Sequence, residues 1–211
     1  MADKLKRIEV EEKLKNIGAL VFTPAEFSGF LNVPVKTATN FISTNIGNSG
    51  SGLFLKLRNG LYMVKDAHVS SLSIANKIYE PSYISLSTAL SHYGIIPEVV
   101  YATTSVTTKI TREFTTPKGN FIYQRIKKQA FTGYGLELID KENILIAEPE
   151  KALADYLYFV DLKRVSLNDR LELRNIKKSE LIKFAKLFER KSLIKLVDYI
   201  YAEYKKPRKI Y

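Results

Sequence analysis

Apolar positions near the start of the chain recur at helical spacing. Leu5, Ile8, Leu14 and Ile17, with charged residues between them, predict an amphipathic first helix ending at Gly18. Thr23-Pro24 reads as an N-cap followed by a first helical residue whose missing N–H costs nothing there. The helix expected over 24–31 places Phe27 and Leu31 on one face, and Asn32-Val33-Pro34 breaks it. A second helix over 35–45 turns Ala38, Phe41 and Ile42 inward. Apolar-rich runs at 54–58 and 61–64 flank Asn59-Gly60, a strong hairpin signal that calls for φ > 0 at both turn positions. Helix, turn, helix and hairpin, in that order, predict a winged helix-turn-helix.

Beyond residue 66 the pattern mixes both periods. Residues 83–94 predict a helix entered through Ser85 or Ser87 and stopped by Gly94. Strands are expected at 99–106, 107–114, 121–126 and 144–147, with a turn at Pro117-Lys118-Gly119-Asn120. Pro149 opens a helix to Phe159 with Ala152, Leu153, Tyr156 and Leu157 inward. Two amphipathic helices close the chain. The first starts at Lys178-Ser179-Glu180 and buries Leu181, Ile182, Ala185, Leu187 and Phe188. The second buries Leu193, Leu196, Val197 and Ile200. The expected fold class is α+β: a winged helix-turn-helix domain over 1–66, then a larger mixed α/β domain over 67–211 that ends in basic helices.

Charge adds a partner to this outline. The 211 residues carry 33 Lys and Arg against 22 Asp and Glu, a net charge of +11. The excess is uneven: +3 over 1–66, zero over 67–160 and +8 over 161–211. Such a balance favours an anionic partner, nucleic acid first. Cysteine is absent, which removes disulfides, thiolate nucleophiles and Cys-ligated zinc. His68 and His92 are expected in a loop and at a helix end, and no His pair stands at metal-ligand spacing, so neither metal nor cofactor is expected. No apolar run approaches the roughly 20 residues of a membrane span. The start, Met1 to Arg7, lacks the apolar core of a secretory signal, so a cytoplasmic protein with no membrane partner is expected.

In a helix-turn-helix the second helix enters the major groove, and here its outward residues are Lys36, Thr37, Thr39, Asn40 and Ser43. All can hydrogen-bond base edges or phosphates, and Asn pairs bidentately with adenine. The hairpin would supply Lys56, Arg58 and Asn59, with Lys65 nearby, to phosphates or a minor groove. The Gly-rich connector at 47–52 lacks the Gly-Lys-Ser/Thr ending of a phosphate loop and precedes a strand. Lys177, Lys178, Lys183, Lys186, Arg190, Lys191 and Lys195, with Lys205 to Lys209 behind them, suggest a second basic surface that tracks DNA beside the wing or holds RNA. Glu148, Glu150 and Asp155 lack the spacing of a nuclease and fit a helix opening, where acids complement the dipole. No Gly-Ser precedes an Asp-x-Asp pair, so the nucleotidyltransferase pattern is missing as well. A binding protein is expected rather than an enzyme; a nuclease or nucleotidyltransferase stays as the enzymatic alternative. Tyr156, Tyr158, Phe159, Tyr199, Tyr201 and Tyr204 are expected in the core or an interface rather than stacked on bases.

Several blocks, in order, resemble the AbiEi family, the antitoxins of type IV abortive-infection toxin–antitoxin systems. They are Asn59-Gly60-Leu61-Tyr62, Tyr83-Ile84-Ser85-Leu86-Ser87-Thr88-Ala89-Leu90, Gly94-Ile95-Ile96-Pro97-Glu98, Thr103-Thr104, Tyr134-Gly135, and Ala147-Glu148-Pro149-Glu150-Lys151-Ala152-Leu153-Ala154-Asp155. The resemblance covers about residues 18–160; the basic end matches in character only. It implies a winged helix that binds double-stranded operator DNA with inverted repeats and represses its own operon. It also implies a C-terminal domain with antitoxin activity against a cognate nucleotidyltransferase-like toxin, without a stable complex. The alternative is a plain winged-helix regulator whose C-terminal domain binds a ligand or dimerises.

Overall fold

Thr23 and Glu26 close a reciprocal cap at the start of a helix. Glu26 N–H donates to the Thr23 hydroxyl at 3.2 Å, and Thr23 N–H donates to the Glu26 carboxylate at 2.7 Å. Burial pushes the Glu26 carboxyl up, but the hydrogen bonds from Thr23 and the nearby Lys77 outweigh it and leave the pKa below its ordinary value. We expect Thr23→Ala to cost about 0.5–2 kcal/mol in urea unfolding. The part of this stability that Glu26 carries is present above its unfolded pKa of about 4.3 and is lost as pH falls through the lower folded value.

The computed structural model describes residues 6–47 and 52–204. The chain divides into two units. One holds the residues up to Ile78 with Phe114–Gly119; the other holds Tyr79–Glu113 and the residues from Asn120 on. The division falls beyond the boundary expected at 66.

The first unit contains α1 (Arg7–Asn16), β1 (Val21–Phe22), α2 (Pro24–Leu31), α3 (Val35–Thr44), β2 (Phe54–Arg58), β3 (Leu61–Val64) and α4 (Ser71–Ile78). Strands β1, β3 and β2 form an antiparallel sheet in that order, which completes a winged helix. Phe22, Phe27, Phe41 and Phe54 cluster at its centre, with ring centroids 5.3–6.2 Å apart. The first helix buries a different stripe from the one expected. Val10 and Leu14 are covered, while Ile8 is 71% exposed and Ile17 half exposed; Leu5 lies outside the described residues. The hairpin turn also differs, because only Gly60 takes a positive φ (+73°) and Asn59 does not.

A six-stranded sheet, which apart from Phe114–Thr116 and Gly119 lies in the second unit, contains β4 (Ser82–Ile84), β5 (Ala102–Thr107), β6 (Arg112–Thr116), β7 (Gly119–Arg125), β8 (Tyr134–Ile139) and β9 (Glu142–Ala147), in the order β6-β7-β5-β4-β9-β8. Pairing is mixed, with β4–β9 and β5–β7 parallel and β4–β5 and β8–β9 antiparallel. The helices are α5 (Leu86–His92), α6 (Pro149–Asp161), α7 (Lys178–Lys186) and α8 (Lys191–Tyr204). The fold is therefore α+β, with helices against a mixed sheet. Residues 99–101 do not join β5: Val99 is 78% and Tyr101 95% exposed. Strands β4 and β8 and helix α4 have no counterpart among the expected elements.

Helix α6 is covered nearly all round, and that coverage includes a charged pair. Lys151 and Asp155 are both fully buried and ion-paired one turn apart. Tyr83 Oη and Ser85 Oγ donate to the same carboxylate at 3.1 and 2.8 Å. The Lys151 ammonium also lies 5.6 and 5.2 Å from the ring centroids of Tyr83 and Phe188. Burial lowers the Lys151 pKa and raises that of Asp155, so desolvation works against both charges and their pairing opposes it. Asp155 is thus not a helix-opening acid, as expected above, but the centre of a buried polar network. Ser85 makes no side-chain cap on α5; its hydroxyl donates to Asp155. Glu150, in contrast, lies in the first turn of α6 and accepts Lys177 N–H at 3.0 Å. At Gly133 (φ +72°) a Cβ would collide with the Phe184 ring, so the backbone there meets α7 only without a side chain.

Candidate nucleic-acid interface

Asn32 ends α2 in the left-handed conformation (φ 53°, ψ 49°), which Asn tolerates better than most residues. Ser28 Oγ donates to Val33 O at 2.6 Å and fastens the turn. Pro34 then precedes α3, whose inner face of Ala38 and Ile42 is buried and whose Phe41 packs on the phenylalanine cluster. The outer face is left for Lys36, Thr39, Asn40 and Ser43, all exposed, with Thr37 half-buried. The Thr39 hydroxyl donates to Val35 O and the Ser43 hydroxyl to Asn40 O, each at 2.9 Å. Both donors are spent on the helix backbone and only lone pairs remain for a partner. Among the described residues the side chains of Lys36 and Asn40 have no partner, so they are the two strongest outward hydrogen-bonding groups. Val35, at the start of α3 and 52% exposed, was not anticipated; a β-branched methyl pair there suits a thymine methyl.

Electrostatics favour the same surface. From Phe27 to Lys65 the sequence contains no Asp or Glu, while Lys36, Lys56, Arg58 and Lys65 fall within it. No acid stands in the first turn of α3 to compete with a phosphate for the helix dipole.

The wing departs from expectation at its arginine. Lys56 and Asn59 are exposed, but Arg58 folds back. Its Nε donates to Ile78 O at 2.6 Å and its Nη1 to Asn59 O at 2.7 Å. Ile78 is the last residue of α4, and a helix C-terminus leaves carbonyls that a cation satisfies. Arg58 is therefore a clamp on α4 rather than a free wing-tip charge. Together with the Lys77–Glu26 pair at 3.8 Å, it explains why α4 belongs to the first unit. Arg58→Ala is expected to lower stability by about 1.5–3 kcal/mol, the range of a charged hydrogen bond, and to leave the salt dependence of DNA binding unchanged. A fall of about 0.9 in that slope would instead make it a phosphate ligand.

The second basic surface splits in two. Lys178 pairs with Asp198 at 2.7 Å and lies over Tyr201, Lys183 pairs with Glu180 at 2.7 Å, and Arg190 pairs with Asp161. Arg190 and Lys178 thus join helices. Lys177, Lys186, Lys191 and Lys195 are exposed with no ion pair among the described residues. The run from Lys205 to Lys209 lies outside the described residues. Tyr156 and Phe159 are buried, Tyr158 stacks on Phe188 at 4.3 Å, and Tyr201 Oη donates to Ile176 O, with its pKa raised by burial to about 12. Tyr199 is 54% exposed and so stands apart from the expected core group.

His68 is exposed in a loop. His92 ends α5 with Nε2 3.0 Å from Glu137, a contact that, with Tyr93, keeps the Glu137 pKa below its ordinary value. Among the described residues no group of three or more His, Asp or Glu side chains is placed to hold a metal ion, and no helix is long and apolar enough to cross a membrane. In comparisons with known proteins, no family model matches the chain and no curated sequence matches it.

Proposed function

We propose that the protein binds double-stranded DNA through α3 and the β2–β3 hairpin and represses transcription, acting in the cytoplasm. The observation that carries this reading is the exposed polar face of α3, presented by a winged helix within an acid-free stretch from Phe27 to Lys65. Lys36 and Asn40 reach base edges, Val35 meets a thymine methyl, and Lys56 takes a phosphate.

We further propose that the chain is an antitoxin of the AbiEi kind, counteracting a nucleotidyltransferase-like toxin through its second unit. Two of the sequence blocks that carry this resemblance meet in space. Tyr83 and Ser85 from one bond Asp155 from the other. A shared interior lock accounts for why both blocks belong to one fold. The experiment is co-expression with the adjacent reading frame. Growth arrest by that frame alone, relieved by this protein, supports the reading; a harmless neighbour contradicts it. Replacing Lys177, Lys186, Lys191 and Lys195 with Gln, which breaks no ion pair among the described residues, is expected to lower the salt slope of DNA binding or weaken antitoxicity while the protein stays folded. No change in either would remove the second surface from the account.

A further inference from the structure

The second unit holds a cavity of about 690 Å³, within the size range of small-molecule sites. Its walls are pinned by satisfied polar contacts. Tyr156 Oη donates to Ser166 O at 2.7 Å and accepts from Asn168 N–H at 2.8 Å, and Asn168 Nδ2 donates to Glu98 at 2.9 Å. Thr104 Oγ1 donates to Ser85 O at 2.7 Å on another side. The cavity is therefore preformed rather than a gap between loose loops.

Four side chains that line it are left without a partner among the described residues: Gln124, Ser87, Arg164 and Asp169. They come in complementary types. Gln124 offers an amide that both donates and accepts, beside the apolar surfaces of Ile122 and Phe159. Arg164 is exposed and is the cation among the lining residues, whereas Glu98 is already paired with Arg170. Asp169 is an exposed acceptor suited to hydroxyls. The wall residue Leu86 adds an independent sign. It is buried and held at φ +56°, a conformation that costs a bulky residue roughly 1–3 kcal/mol and that collects at ligand sites.

We propose that this cavity binds an unpaired nucleotide. The planar base enters against Phe159 and Ile122, with its hydrogen-bonding edge on Gln124. The ribose hydroxyls meet Asp169, and the phosphate meets Arg164. A base inside a duplex has its Watson–Crick edge paired and both faces stacked, so this site is separate in chemistry from the α3 surface, which reads groove edges, and does not depend on the reading of α3. The nucleotide comes either free or as the end or loop of an RNA strand.

Calorimetric titration of the full-length protein with the four ribonucleoside monophosphates and with a short single-stranded RNA tests this. Binding of a monophosphate identifies the free nucleotide as the source; binding of the RNA alone identifies the strand. In either case Arg164→Ala should weaken binding about tenfold or more, and Gln124→Leu should alter the preference among bases, with unchanged melting of the unliganded protein showing that the variants fold. Asp169→Asn should narrow the difference between ribo- and deoxyribonucleotide. The proposal is overturned if neither ligand binds at millimolar concentration. It is equally overturned if inorganic phosphate or indole-3-acetate binds as well as the nucleotides, or if the variants bind like the wild type.

Discussion

Asp155→Asn is expected to destabilise the second unit by about 3–5 kcal/mol, the cost of leaving one member of a buried ion pair alone. For a protein of this size that corresponds to a fall in melting temperature of about 6–20 °C. The reason is geometric. Asp155 accepts from Lys151, Tyr83 and Ser85 with no solvent access, so an amide leaves the Lys151 ammonium without a counter-charge. Lys151→Met strands the carboxylate instead and should cost a similar amount. Removing both charges with Lys151→Met and Asp155→Leu should recover part of the loss, because the desolvation of both ions disappears. Recovery stays incomplete, since the Tyr83 and Ser85 hydroxyls lose their acceptor at about 1–3 kcal/mol each. Differential scanning calorimetry of the three variants checks the order. Equal melting of Asp155→Asn and wild type would mean the pair is hydrated and the buried network is not what joins β4 to α6.

The second large effect is expected on DNA. Asn40→Ala should cost about 1–3 kcal/mol against the preferred sequence and relax the preference at the base pair it reads, with little effect on random duplex. Lys56→Ala should lower the salt slope by about 0.9, the contribution of one neutralised phosphate, whereas Lys36→Ala should relax the preference at the base pair that it reads. Thr39→Val and Ser43→Ala should do less, because each hydroxyl donor is already bound to the backbone of α3. Binding isotherms at several salt concentrations separate these cases. A uniform loss on all sequences from Asn40→Ala would place that residue on the phosphate backbone instead.

The first unit was largely readable from the chain, and the reasons are local. Thr23, Pro24 and Asn32 determine the ends of α2 by capping and backbone geometry, which depend on few neighbours. Arg58 was not readable in the same way. Its orientation depends on the carbonyl of Ile78, twenty residues away in sequence, on a helix whose Ser-rich start gave no clear apolar stripe. Lys151 and Asp155 look like an exposed i,i+4 ion pair, the usual fate of such residues. The contrary signal was present: Ala152, Leu153, Ala154, Tyr156 and Leu157 leave α6 apolar on nearly every side, and a helix with that pattern is buried. Val99 and Tyr101 show the opposite failure. Their β-branched and aromatic character suits a strand, but it equally suits the edge of a cavity. The cavity itself draws residues from α5, β5, β7, α6 and two loops, a combination that no spacing along the chain reveals.

The central claim is that α3 reads sequence. Its most direct measurement is competition binding at about 150 mM salt, an ionic strength at which exposed charges are screened beyond about 8 Å. DNA from upstream of the protein's own reading frame is set against random duplex, for the wild type and for Asn40→Ala. The account predicts a preference for the upstream DNA of about 10³-fold or more in the wild type, with protection centred on an inverted repeat, and a preference reduced at least tenfold in Asn40→Ala. Equal affinity of the wild type for both DNAs, or an unchanged preference in the variant, would contradict it.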